Sequence, residues 1–328
     1  MHGLLFELFG VPFPSYFVLL LTGFLFATVI GALWAKRVGL NPDVIVDLGL
    51  VTLMAGVAGA RLLHVFADGY FWDYVHLCTD PSQVSWPITI QECMRVPDND
   101  VVSEWLGCAA LGPVGTWDAI AGVCRPRHAD CWAWARFYEG GLAYYGGLVT
   151  ASIAAWFLLR ADKFPFWKAA DMAAMVIPLG LGFGRMGCLL AGCCFGRPWE
   201  APFAIGFPGG SPASEAQARG GLLDAASLPS LPVHATQIYE AAGSFALAGF
   251  LMLHLHGKKR YDGQVFVVFL IAYAALRFVL EFFRADDRGE LFGLSTSQWL
   301  GIAVAAVAVV IHAKRRGRLA AGTADAPA

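Results

Sequence analysis

The chain has 328 residues, of which 57% are hydrophobic and only 15% are charged, and its mean hydropathy is +0.58. An average soluble domain carries about 25% charged residues. The composition therefore excludes a disordered chain, a nucleic-acid binder and an ordinary cytosolic enzyme, and it points to a membrane protein. With 25 acidic against 23 basic residues the net charge is −2, so no overall field steers the molecule to polyanions.

A membrane-spanning helix needs about 20 mostly apolar residues. Seven segments answer to that in chain order: Tyr16–Trp34, Val44–Phe66, Leu142–Leu159, Ala169–Leu190, Gln237–His256, Gly263–Phe283 and Ser297–His312. The expected fold is an all-α polytopic membrane protein with seven transmembrane helices. Residues 1–14 hold no Lys or Arg, and the first apolar run is longer than a usual signal-peptide core, so this span is expected to stay in place.

The basic residues distribute unevenly. Lys36 and Arg37 follow the first span, Arg160, Lys163 and Lys168 the third, Lys258, Lys259 and Arg260 the fifth, and Lys314, Arg315, Arg316 and Arg318 the seventh. If every span crosses once, these 12 residues share one side in short stretches. The positive-inside rule then sets the N-terminus outside and the C-terminus in the cytoplasm. Two long extracytoplasmic loops follow from this topology. One covers residues 67–139, an insertion within a transmembrane domain over 13–312, and the other covers about 191–235. The Ala-rich tail at 319–328 lacks periodicity and reads as disordered.

Five of the eight cysteines, Cys78, Cys93, Cys108, Cys124 and Cys131, fall in the first loop, where disulfides are permitted. Sequence does not fix their connectivity; the short spacing favours a Cys124–Cys131 pair. Cys188, Cys193 and Cys194 end the fourth span. Their spacing is not CxxC and no paired His lies near, so zinc and redox readings are weak, and they read as small apolar packing residues.

Three arginines remain inside spans: Arg61, Arg185 and Arg277. A charge at bilayer depth costs at least about 2.5–3.5 kcal/mol and so must pair or line a polar cavity. Arg185 lies in a stretch with four glycines, Gly180, Gly182, Gly184 and Gly187, which let backbones approach closely and leave room for a ligand. Tyr273, Arg277, Glu281 and Arg284 are spaced to share one helix face. Either Arg277 and Glu281 only satisfy each other, or the arginines form an anion site, since guanidinium presents a planar fork that matches phosphate. Arg61, among small residues, reads as a packing partner. Two GG pairs, Gly140–Gly141 and Gly146–Gly147, flank Tyr144 and Tyr145 at the start of the third span. In His234–Glu240, Thr236 could cap the fifth span and Glu240 suits a helix N-terminus.

These elements, in this order, resemble the prolipoprotein diacylglyceryl transferase family. The resemblance runs from about Phe13 to His312. It rests on GGLAYYGGL at 140–148, GRMGCLLAGCCFG at 184–196, HATQIYE at 234–240 and YAALRFVLEFFR at 273–284. It implies a multi-pass enzyme of the bacterial cytoplasmic (inner) membrane. Such an enzyme moves the diacylglyceryl group of phosphatidylglycerol onto the lipobox cysteine thiol of a preprolipoprotein, forming a thioether and releasing glycerol 1-phosphate. The partners implied are phosphatidylglycerol, lipobox signal peptides and membrane lipids, with no nucleic acid and no metal or organic cofactor.

By the same resemblance Arg185 and Arg277 fall on the family's two essential arginines, with Arg185, Arg277, Tyr16 and Gly187 binding phosphatidylglycerol. Tyr145, Arg277 and Tyr273 take the catalytic positions, and Glu281, Gly146 and Gly147 support them. The chain departs from the family pattern at Tyr145, which stands where many members have His, at Cys188 in place of Asn, and at Cys193 in place of Glu. The alternatives are a family member with altered catalysis, a membrane thiol oxidoreductase using Cys193 and Cys194, and an anion transporter. The last would show inverted repeats, and none is visible.

Overall fold

The computed structural model describes residues 4–8, 11–67, 69–86, 93, 115–135, 142–285 and 290–320. The chain forms two compact units. One comprises Met1–Leu8, Pro12–Val46 and Phe164–Ala328, the other Phe9–Val11 and Asp47–Lys163.

Two short strands, β1 (Leu4–Leu8) and β2 (Val11–Pro14), come first in the chain, and the first unit is built on helices α1 (Ser15–Arg37), α5 (Phe166–Leu190), α7 (Thr236–Phe250), α8 (Gln264–Glu281) and α9 (Thr296–Ala320), with a short α6 (Pro212–Arg219) between α5 and α7. On α1 the buried positions include Gly23, Ala27, Gly31 and Ala35, a row of small residues four apart. Such a row shares one helix face and lets a second backbone come close, and α1 packs on α5 along it. Lys36 and Arg37 fill its last turn, where cations complement the carbonyl end of the helix dipole. The central cluster joins Ala35, Ile45, Met172, Ala174, Met175, Leu251, Val265 and Phe269.

A buried carboxylate organises this end of the unit. Asp171 on α5 accepts from Gly263 N at 2.9 Å and Phe266 N at 3.0 Å, two donors of the α8 N-terminal turn, and from Lys259 Nζ at 3.1 Å. Helix α8 has no side-chain cap of its own, so Asp171 satisfies orphan donors across the helix–helix contact. Fourteen residues further along α5, roughly 21 Å at 1.5 Å per residue, lies Arg185.

The second unit holds most of α2 (Pro42–Ala67), α3 (Phe71–Thr79), the antiparallel hairpin β3 (Gly115–Asp118) and β4 (Val123–Pro126), and α4 (Tyr144–Ala161). Arg61 donates through Nε to Trp134 O at 2.6 Å and through Nη2 to Ala133 O at 2.8 Å and Tyr74 Oη at 3.0 Å. It therefore ties α2 to the segment before α4, a structural role.

The Cys124–Cys131 pair suggested by spacing does not form. Cys131 bonds to Cys78 and Cys124 to Cys93. The reason is local register. Asp130 N donates to Leu77 O, which sets Cys131 against the end of α3, whereas Cys124 sits in β4 with its backbone paired to Trp86. Cys108 lies outside the described residues.

Among the described residues six helices are long and apolar enough to cross a membrane: Ser15–Arg37, Pro42–Ala67, Phe166–Leu190, Thr236–Lys258, Gln264–Glu281 and Thr296–Leu319. The remaining expected span, Leu142–Leu159, forms α4, but its tyrosines, glycines and Arg160 keep it out of that set. The segment expected to be a disordered tail begins inside α9, which runs to Ala320, and residues 321–328 lie outside the described ones.

Candidate functional site

In the first unit, α5, α7 and α8 bring three of the expected residues, Arg185, Tyr273 and Arg277, to one carboxylate, Glu240 on α7, with Glu281 joined through Arg277. Arg185 Nε lies 3.0 Å from Glu240 Oε2, and Arg277 Nη1 lies 3.3 Å from the same oxygen. Tyr273 Oη donates to Glu240 Oε1 at 3.0 Å, and Arg277 Nη2 reaches Glu281 Oε2 at 3.3 Å. Arg277 and Glu281 thus do pair, as one link of a larger network. Tyr273 holds the carboxylate rather than Arg277 itself.

The carboxylate is sealed, with Glu240 only 1% exposed, while the Arg185 side chain keeps 19% of its surface. Arg185 uses Nε for the pair, and among the described residues its two amino nitrogens carry no ion pair or hydrogen bond. They are the part of the guanidinium fork that suits a phosphate. Arg284, buried at the end of α8, adds a third cation beside Cys194. The Arg185–Glu240–Arg277 link was not read from the sequence. The available signal was an acid at bilayer depth, which must find a partner.

Gly187 and Tyr16 also meet. A Cβ at Gly187 would sit 3.1 Å from Tyr16 Cα and 3.2 Å from its backbone oxygen, tighter than ordinary Cβ contacts, so glycine eases the close approach of the start of α1 to α5 beside Cys188. In the second unit, Tyr145, Gly146 and Gly147 open α4. Tyr145 is exposed and its ring meets Tyr144 edge-on at 5.6 Å. A Cβ at Gly146 would collide with Gly59 O, so α4 lies directly on α2, and Thr150 Oγ1 donates to Ala55 O at 2.7 Å across the same contact.

Thr236 does not cap α7 as expected. Its hydroxyl donates to Cys194 O at 2.7 Å, while Gln237 Nε2 donates to Cys193 O at 2.7 Å. These two bonds pin the turn after α5, where Gly192 and Cys194 adopt positive φ of 69° and 59°. Cys188, Cys193 and Cys194 are free thiols whose Sγ atoms all lie within 4.8 Å of one another. The spacing 188–193–194 concealed this convergence; the signal was three thiols astride one helix end. Hydrogen bonds with the Cys188 and Cys193 thiols, then the nearby Arg185 and Arg284, hold Cys194 well below the ordinary thiol value. Hydrogen bonding to the other two thiols, and then burial, pushes Cys193 up. His234 stacks on Trp199 at 4.0 Å, and burial lowers its pKa.

A family profile described as prolipoprotein diacylglyceryl transferase matches residues 4–90 and 108–314. The chain belongs to the prolipoprotein diacylglyceryl transferase family. It is 26% identical over 302 residues to a phosphatidylglycerol–prolipoprotein diacylglyceryl transferase of Clostridium tetani (strain Massachusetts / E88), covering 92% of this chain and 93% of that protein. It is 24% identical over 321 residues to phosphatidylglycerol–prolipoprotein diacylglyceryl transferase 2 of Clostridium perfringens (strain 13 / Type A), covering 96% and 97%. Against the transferase of Polynucleobacter necessarius subsp. necessarius (strain STIR1) identity rises to 35% over 168 residues, covering 50% of this chain and 57% of the relative. The chain is a transferase of lipoprotein biosynthesis and a membrane protein.

Proposed function

We propose that this chain transfers the diacylglyceryl group of phosphatidylglycerol to the lipobox cysteine thiol of preprolipoproteins. The products are a thioether-linked lipid and glycerol 1-phosphate. The observation that carries this reading is the convergence of Arg185 and Arg277 on Glu240, with the Arg185 amino nitrogens left for a ligand. The relatives' names, which specify phosphatidylglycerol and prolipoprotein, support the substrate pair.

The reaction displaces a phosphate ester from a glyceryl carbon. The attacking sulfur must be a thiolate, and the leaving phosphate gains charge that preorganised donors stabilise. Arg185 and Arg277 bind the phosphate and stabilise its departure. Glu240 fixes both guanidinium planes, Tyr273 fixes Glu240, and Glu281 holds the far side of Arg277. Tyr16, brought in by Gly187, lines the same lipid site.

In the membrane the chain takes seven spans over 13–312, with α4 as the third, the N-terminus outside and the basic segments in the cytoplasm. Residues 67–139 and 191–235 then lie outside the bacterial inner membrane, a setting in which the two disulfides of the first segment persist. Complementation of a bacterial strain depleted of its own transferase tests the function. Restored growth and a lipidated lipoprotein reporter support it, and an expressed, membrane-inserted chain that leaves the reporter unlipidated overturns it.

A further inference from the structure

The expected family reaction uses no metal, yet the three free thiols are arranged like a ligand set. We propose that Cys188, Cys193 and Cys194 form a three-thiolate site for a zinc ion, with the fourth position open to a substrate thiol. The second half of the proposal rests on the transferase reading above; the first half does not.

Zinc–sulfur bonds are about 2.3 Å, so sulfurs around one tetrahedral ion stand about 3.8 Å apart. The three Sγ atoms already lie within 4.8 Å of one another, so small side-chain rotations close the set. Three thiols acting only as small apolar fillers would meet different neighbours, whereas these meet each other. The backbone holds them there. Cys188 is buried on α5, Cys193 N donates to Cys188 O at 3.1 Å, and the carbonyls of Cys193 and Cys194 are each held at 2.7 Å by Gln237 and Thr236. Groups that orient ligands from behind are what a metal site requires beyond the ligands themselves. Gln237 Oε1, on the side chain that holds Cys193, is buried with no partner among the described residues.

Three protein ligands and one open position describe a catalytic rather than a structural zinc site. The chemistry matches the need. A thiol that coordinates zinc loses its proton, which passes to solvent, and the sulfur lone pair forms the new C–S bond at the glyceryl carbon. The C–O bond to phosphate breaks, and its electron pair leaves with glycerol phosphate beside Arg185, one helical turn from Cys188. Zinc changes no oxidation state.

The full-length chain, purified in detergent, tests the site by its zinc content after incubation with zinc and removal of excess. The proposal expects one zinc per chain and at least a tenfold loss in Cys193→Ser/Cys194→Ser and in Cys188→Ser, each checked for unchanged thermal unfolding. Cobalt-loaded protein should show a thiolate-to-cobalt absorption that changes with a lipobox peptide but not with its cysteine-to-serine counterpart. No zinc retained by the wild type, or a Cys193–Cys194 disulfide in it, overturns the site. Full lipidation by the metal-free protein overturns the open-position role while leaving the transferase reading intact. Stoichiometric zinc without any lipidation keeps the site and overturns the transferase reading.

Discussion

Arg185 Nε and Glu240 Oε2 stand 3.0 Å apart, joining α5 to α7 through a carboxylate that is almost wholly removed from solvent. Because Arg277 shares that oxygen, one acid orients two cations on two helices. Removing one member of a buried ion pair costs about 3–5 kcal/mol, because the other charge is left uncompensated. Glu240→Gln should therefore lower the thermal unfolding temperature in detergent sharply, and Glu281→Gln, which leaves Glu240 in place, should lower it less. Equal effects of the two would contradict the hub role of Glu240.

The arginines themselves should act on turnover. Loss of one donor to a developing oxyanion slows a reaction by about 100- to 1,000-fold. Arg185→Ala and Arg277→Ala are each expected to lose lipidation to that extent while staying in the membrane. Arg185→Lys should also be costly, because an ammonium does not copy the planar fork. Lipidation assays in membranes with matched protein levels check this, and a fully active Arg185→Ala sinks the phosphate-binding assignment.

Gly187 leaves Tyr16 so close that an added Cβ would meet it at 3.1 to 3.2 Å. Gly187→Val should force α1 from α5, with overpacking costs of about 1–3 kcal/mol, and should weaken lipid binding along with stability. An unchanged unfolding temperature with unchanged activity would show that the close approach is dispensable.

The disulfide pairing yields a chemical prediction. Peptide mapping without reduction should recover Cys78 linked to Cys131 and Cys93 linked to Cys124. Cys78→Ser should destabilise by up to about 4 kcal/mol on a chain-entropy basis, measured by thermal unfolding. A recovered Cys124–Cys131 peptide would refute the register described for β4.

Much of the helical frame was legible because hydropathy at bilayer length is a strong signal: six of the seven expected spans are long apolar helices. The third was legible as a helix but carries polar and glycine residues at its start. The stripe of Tyr273, Arg277 and Glu281 followed from helical periodicity, and the glycine-rich run around Arg185 announced close packing. What stayed hidden was partnership between distant segments. Nothing in local spacing says that Glu240 meets Arg185, that Asp171 caps α8, or that Thr236 turns from its own helix to the Cys194 carbonyl. The thiol cluster was hidden for the same reason, since a positive φ at Gly192 and Cys194 folds the chain back on itself.

The most direct test uses purified full-length chain in vesicles containing phosphatidylglycerol, with a synthetic peptide bearing a lipobox cysteine. The account predicts a peptide mass increased by one diacylglyceryl group on the cysteine sulfur, an equal amount of released glycerol phosphate, and neither product from the Arg185→Ala chain. Peptide left unmodified by the folded wild-type chain, or modified equally by Arg185→Ala, would contradict it.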